Sequence, residues 1–270
     1  MPQAQPAWSS ERNGHRLTTL YALLLGLPIG LAVGAFGGGG SVLTVPILVT
    51  LLGVEGHTAI TTSLVVVGVS ALSGVTRRFA ANEVDLRRAL AFAALAIPGS
   101  VLGTMANRHL DQHVLLLIFG LFISVVAWRM WGSADRGEEA SPMTAQRRAV
   151  LVAVAGLGTG LLTGLLGVGG GFIIVPVFYL VLRVPMGTAV GSSLLVIVLN
   201  ATLALAARFP DPGVAWSLAV PLASTGLIGS LLGTTLARRA SGPSVVRGFA
   251  TLLAVVSVGT TIQAIWQLAS

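Results

Sequence analysis

From Leu17 to Val54 the chain runs without one charged residue, and similar stretches recur at Thr58 to Thr76, Ala89 to Asn107 and Val150 to Leu182. Each matches or exceeds the roughly 20 residues that cross about 30 Å of hydrocarbon at 1.5 Å per residue. Lipid offers no partner to backbone N–H and C=O groups, so runs of this length must be helices that satisfy themselves. Hydrophobic residues make up 54% of the chain and charged residues 9%, against the roughly 25% charged content of soluble domains. The reading is an all-α polytopic membrane protein.

A shift of 130 positions brings the two halves into register without a gap. GLAVGAFGGGGSVLTVP from Gly30 lies over GLLTGLLGVGGGFIIVP from Gly160, and IPGSVLGT from Ile97 lies over LIGSLLGT from Leu227. Internal duplication is a common way to build transporters. The expected layout is a polar tail over 1–16, a first membrane repeat over 17–131, a linker over 132–148 and a second repeat over 149–268. Each repeat has about five helical pieces, near 17–36, 41–53, 58–77, 86–107 and 112–131, then the same plus 130. The second piece is too short to cross easily and is read as a broken or re-entrant helix.

Whether that short piece crosses decides the symmetry. With five crossings and the amino terminus outside, twelve of the sixteen arginines fall inside. With four crossings and the terminus inside, eleven do. Since basic residues collect on the cytoplasmic side, the arginines favour an inverted second half and a place in the cytoplasmic membrane.

The glycine runs come next. Glycine costs roughly 1 kcal/mol against alanine inside a helix, so Gly37, Gly38, Gly39 and Gly40, and Gly167 with Gly169, Gly170 and Gly171, should break the chain at membrane depth. Such breaks are tolerated only inside protein or beside a watery cavity. A new helix follows each, with Val45-Pro46 or Val175-Pro176 expected in its first turn. Its free N–H groups and positive dipole end would greet a negative guest. Ser41 and Thr44 add hydroxyls, as do Thr62 and Ser63 in HTAITTSL, Ser192 and Ser193 in GTAVGSSL, and Asn200 deeper in the same helix. Thr58 and Thr188 read as helix N-caps. Gly26, Gly30, Gly34, Gly99 and Gly103, with their counterparts Gly156, Gly160, Gly164, Gly229 and Gly233, read as small-residue ridges for helix packing.

Several chemistries are excluded or disfavoured. The sequence contains no lysine and no cysteine, which removes Walker-type phosphate loops, lysine Schiff bases, disulfides and thiolate nucleophiles. No serine–histidine pair sits at membrane depth, so an enzyme is not expected, and no cofactor is. HLDQH, with His109 and His113 one turn apart, reads as a solvated turn rather than a metal site, and His57 beside Glu55 as a plain loop. The net charge of +7 sits at the ends of apolar runs, where it marks orientation toward anionic headgroups rather than nucleic acid. The absence of Asp or Glu within any apolar run argues against tight proton coupling. The partners expected are the lipid bilayer and a small anionic substrate, with self-association left open.

The glycine-rich break followed by V-P, then T-A-x-x-x-S-L, present twice, resembles the sulfite exporter TauE/SafE family of bacterial membrane permeases, also called the toluenesulfonate uptake permease family. GLLGVGGGFIIVPVFYLVLRVPMGTAVGSSL is the most specific part. The resemblance implies transport of small sulfur-containing anions such as sulfite, sulfoacetate or other organosulfonates.

Overall fold

The structure, a computed structural model, describes residues 8–107, 112–134, 144–166, 171–208 and 213–269. Its elements, in chain order, are α1 (Trp8–Phe36), α2 (Gly39–Pro46), α3 (Gly56–Ala80), α4 (Leu86–Asn107), α5 (Gln112–Ser133), α6 (Ala145–Leu166), α7 (Gly171–Pro176), α8 (Met186–Ala206), α9 (Trp216–Arg239) and α10 (Gly242–Ala269). No strand occurs among the described residues. Six of these helices, α3, α4, α6, α8, α9 and α10, are long and apolar enough to cross a membrane on length and composition.

The glycine ridges set which helices touch. Along α1, Gly26, Gly30 and Gly34 lie in turn against Leu222, Gly226 and Ser230 of α9, and along α6, Gly156, Gly160 and Gly164 lie against Phe92, Ala96 and Ser100 of α4. A side chain at Gly30 would enter the Gly226 backbone, so only glycine permits this approach. Numbers rise together in both pairs, which makes each pair parallel. α3 also runs parallel to α9, with Ser73 Oγ donating to Leu227 O at 3.3 Å and Arg77 Nη1 to Thr235 Oγ1 at 2.6 Å.

The remaining contacts run the other way. Gly68 faces Ala201 while Gly74 faces Leu194, so α3 and α8 are antiparallel. Gly120 faces Thr261 while Ser124 and Ser257 share a 2.6 Å hydrogen bond, so α5 and α10 are antiparallel too. α3 with α8, and α5 with α10, are counterparts at the 130-residue shift. Opposed directions in counterpart helices are what an inverted duplication requires.

α2 turns back. Leu48, in the π-helical turn that continues it, is buried with Ala22 midway along α1 and Leu218 near the start of α9. α1 therefore ends at the glycine break, and α2 returns toward the face from which α1 came. These directions gather Arg77, Arg78, Arg87, Arg88, Arg129, Arg147, Arg148, Arg183, Arg238, Arg239 and Arg247 at one end of the bundle, hereafter the arginine-rich face. Arg208 lies at the other.

Three local expectations change. α1 starts at Trp8 rather than near 17, because the polar residues ahead of the apolar run continue the helix. α3 and α8 start two residues ahead of Thr58 and Thr188, so the cap positions fall to Glu55 and Pro185, neither with a side-chain cap bond. Finally, α2 begins inside the glycine run at Gly39, which puts Pro46 at its end rather than in its first turn. Proline lacks an N–H and its ring pushes on the preceding turn, and in both halves a π-helical turn follows it, Ile47–Leu51 and Val177–Val181.

Candidate functional site

The first break is closed tightly. Gly37 holds φ at +74°, a left-handed backbone that suits glycine at a helix end, and its N–H donates to Val33 O at 2.7 Å. Around it stand Ser193, Val175 and Val190, while Gly38 rests on the Gly171 backbone of the second break. Gly39 meets Leu252 and Phe249 of α10, and Gly40 meets Val33 and Ile29 of α1. The two broken helices thus meet each other at the centre of the bundle. Gly37 to Gly40 are packed against protein rather than lining a cavity. Gly167, Gly169 and Gly170 lie outside the described residues, as does the Ser41 side chain.

The hydroxyls divide by task. Thr44 is buried and donates to Gly40 O of its own helix at 2.7 Å. Thr62 Oγ1 accepts the Ala215 N–H at 3.1 Å, and Ser192 Oγ accepts the Asp85 N–H at 3.0 Å. Ala215 and Asp85 immediately precede α9 and α4, and both pairs are counterparts across the repeat. Thr62 and Ser192 therefore satisfy orphan N–H groups at the entry to the neighbouring half's helix.

Ser63 and Ser193, also counterparts, part company. Each donates within its own helix, to Ile60 O at 2.7 Å and to Val190 O at 2.8 Å. Ser193 is sealed against Gly37. Ser63 instead lines a cavity of about 340 Å³ that runs between α3, α4, α6 and α8, with Ile174 of α7 at its wall. Its polar lining comes from Ser63, Ser100, Thr159, Thr163 and Asn200, set among Leu64, Val67, Phe92, Ile97 and Ile197. The Asn200 amide makes no hydrogen bond to any described residue, and no carboxylate or arginine lines the cavity. It extends along α8 to Ala207, toward the face that carries Arg208.

The matching space in the other half, between α8, α9, α1 and α3, is filled. Leu194 and Ser70, the counterparts of Leu64 and Asn200, are fully buried, and Ser70 Oγ faces Gly226. Ser230, the counterpart of the cavity-lining Ser100, is also fully buried, its Oγ facing Gly74 without a hydrogen-bond partner. One half of a duplicated design stands open and the other shut.

Comparison with known proteins fits this architecture. A sequence profile of the family described as sulfite exporter TauE/SafE matches residues 22–260. The chain belongs to the sulfite exporter TauE/SafE family. It is also similar to a probable membrane transporter protein of Xylella fastidiosa, 33% identical over 245 residues that cover 88% of this chain and 92% of the relative. A probable membrane transporter protein of Bacillus subtilis is 25% identical over 246 residues, 83% of this chain and 90% of the relative. No solved structure gives a significant match. This TauE/SafE chain is a multi-pass membrane transporter.

Ser100, Thr159, Thr163 and Arg78 escaped the sequence reading. Ser100 was visible inside IPGS, repeated as LIGS, and Thr159 and Thr163 sit one turn apart in GTGLLTG. All three flank glycines assigned to packing.

Proposed function

We propose that the protein is a permease for small sulfur oxyanions or organosulfonates, built from two inverted repeats, which carries its solute through the cavity between α3, α4, α6 and α8. The observation that carries the reading is the unpaired Asn200 amide facing Ser63, Ser100, Thr159 and Thr163 across an apolar-walled space. Neutral donors in a space free of carboxylates suit an anion, because the Asn200 amide, which no described protein group engages, gains a hydrogen bond when a ligand supplies the acceptor. The apolar wall suits an organic tail. The family description, sulfite exporter, supports the sulfur-oxygen head group.

Open and shut counterpart spaces correspond to one end state of an alternating cycle, in which the halves exchange conformations. Export of one negative charge is favoured by about 2.3 kcal/mol per 100 mV of inside-negative potential, so no coupling carboxylate is required. Flux in proteoliposomes tests the reading with sulfite, sulfate, methanesulfonate, benzenesulfonate and sodium offered separately. The expected result is anion flux that falls at least tenfold in Asn200→Leu. Sodium flux with no anion flux would refute it.

A further inference from the structure

Arg78 stands in the last turn of α3 at the arginine-rich face, and only 2% of its side chain is exposed. Its Nη1 donates to Glu83 Oε2 at 2.8 Å and to Gly187 O at 3.1 Å. Its Nε is buried with no partner. Glu83 spends its other oxygen on Arg238, whose Nε approaches Oε1 at 3.3 Å. One carboxylate thus serves two guanidinium groups, leaving the cluster with one positive charge in excess and one buried nitrogen donor, Arg78 Nε, without a partner.

These groups line a pocket of about 270 Å³ together with Met186, Gly187 and Thr188. Those three residues are the first turn of α8, which has no side-chain cap, so its dipole end and N–H groups add to the positive character. Val190 lines the same pocket, one turn ahead of the Ser193 that seals Gly37. The pocket lies on the threshold of the shut half.

Among the described residues, the opposite face shows no equivalent. Arg208 is the counterpart of Arg78, but Gly213 stands where Glu83 would, and Arg208 Nη1 turns back to Ala204 O of its own helix at 2.9 Å. Among the described residues, a carboxylate bridging two arginines therefore occurs at the arginine-rich mouth alone.

We infer that this pocket is an anion-loading site at the arginine-rich face, where a small oxyanion takes the place now held by the Glu83 carboxylate. An oxyanion there accepts from Arg78 Nε and Nη1, from Arg238 and from the first turn of α8. Charge-assisted bonds of this kind are about twice as strong as neutral ones. Glu83 is then released toward solvent, to which it is already 27% exposed. With Glu83 gone, the tie between Arg238 at the end of α9 and the turn after α3 is broken, and the shut half is free to part at that mouth. The site deepens the transport reading by naming where the anion is first held, and its binding can be measured without transport.

The chain contains no cysteine, so Thr188→Cys gives one reporter inside the pocket, alkylated with a water-soluble maleimide. Sulfate or methanesulfonate should slow alkylation at least fivefold. Adding Glu83→Gln should lower the anion concentration needed for half-protection about tenfold, since the competitor loses its charge. Adding Arg78→Lys, which keeps a charge but lacks the Nε donor, should raise it by a similar factor. No protection in either the Thr188→Cys protein or its Glu83→Gln derivative overturns the site. So does a Glu83→Gln protein whose melting temperature shifts while half-protection stays put, because an ion pair that only holds helices predicts that outcome. Protection without anion flux would uphold the site and sink the transport reading, and flux without protection the reverse.

Discussion

Leu64 and Leu194 occupy the same position in the two repeats, yet Leu64 lines the open cavity while Leu194 is fully buried. Placed singly as cysteines, they report on the two halves independently. Leu64→Cys should react with a small thiol reagent at once. Leu194→Cys should react only in proportion to the time its half spends open. Ser230 bears on that proportion, because its hydroxyl is buried without a partner in the shut half and would meet water once that half opened. A buried, unsatisfied polar group costs about 1–3 kcal/mol, and removing the oxygen also forfeits some packing. The net gain for the shut state in Ser230→Ala is then about 1 kcal/mol, or roughly fivefold at 1.4 kcal/mol per factor of ten. Alkylation of Leu194→Cys should slow by about that factor when Ser230→Ala is added, while Leu64→Cys labelling should not slow. Equal labelling at both cysteines, or an unchanged or faster rate at Leu194→Cys in the Ser230→Ala background, would refute the reasoning.

Thermal melting followed by fluorescence tests the ridges: Gly30→Ala drives a methyl into the Gly226 backbone and should cost at least the about 1–3 kcal/mol of ordinary overpacking. Gly158→Ala, two residues from the counterpart Gly160 and with nothing within 4 Å, should be neutral or stabilising by up to about 1 kcal/mol. Thr62→Val and Ser192→Ala each strand one N–H at a helix entry and should cost about 1–2 kcal/mol apiece in the same assay. Their half-saturating substrate concentration should not move, and a large change would return both hydroxyls to the solute path.

Much of the scaffold was legible because its signals are local. The expected pieces at 58–77, 86–107 and 112–131 became helices at Gly56–Ala80, Leu86–Asn107 and Gln112–Ser133, since apolar length and glycine punctuation act within a few residues. The ridges at Gly30 and Gly160 were legible as contact surfaces for the same reason. Their partners were not, because α1 finds α9 and α6 finds α4, and nothing within either segment names its mate. Thr62 bonds a group 153 residues away and Ser192 one 107 residues away, so hydroxyls that read as path lining also tie helix entries, a pairing no local pattern announces. Arg78 was misjudged in the other direction. As one of a charged pair at a helix end it reads as an orientation marker, and only the approach of α8 and the turn at Glu83 bury it.

The helix wiring says something about descent. Each glycine ridge joins a helix of one repeat to a helix of the other, so a single repeat has no mate for either ridge. A single repeat standing alone would have to find that mate on a second copy running the opposite way, and such a chain would have to insert in both orientations. Joining two copies in one polypeptide would fix each copy's direction and let their mouths differ, as the carboxylate at Glu83 and the glycine at position 213 do.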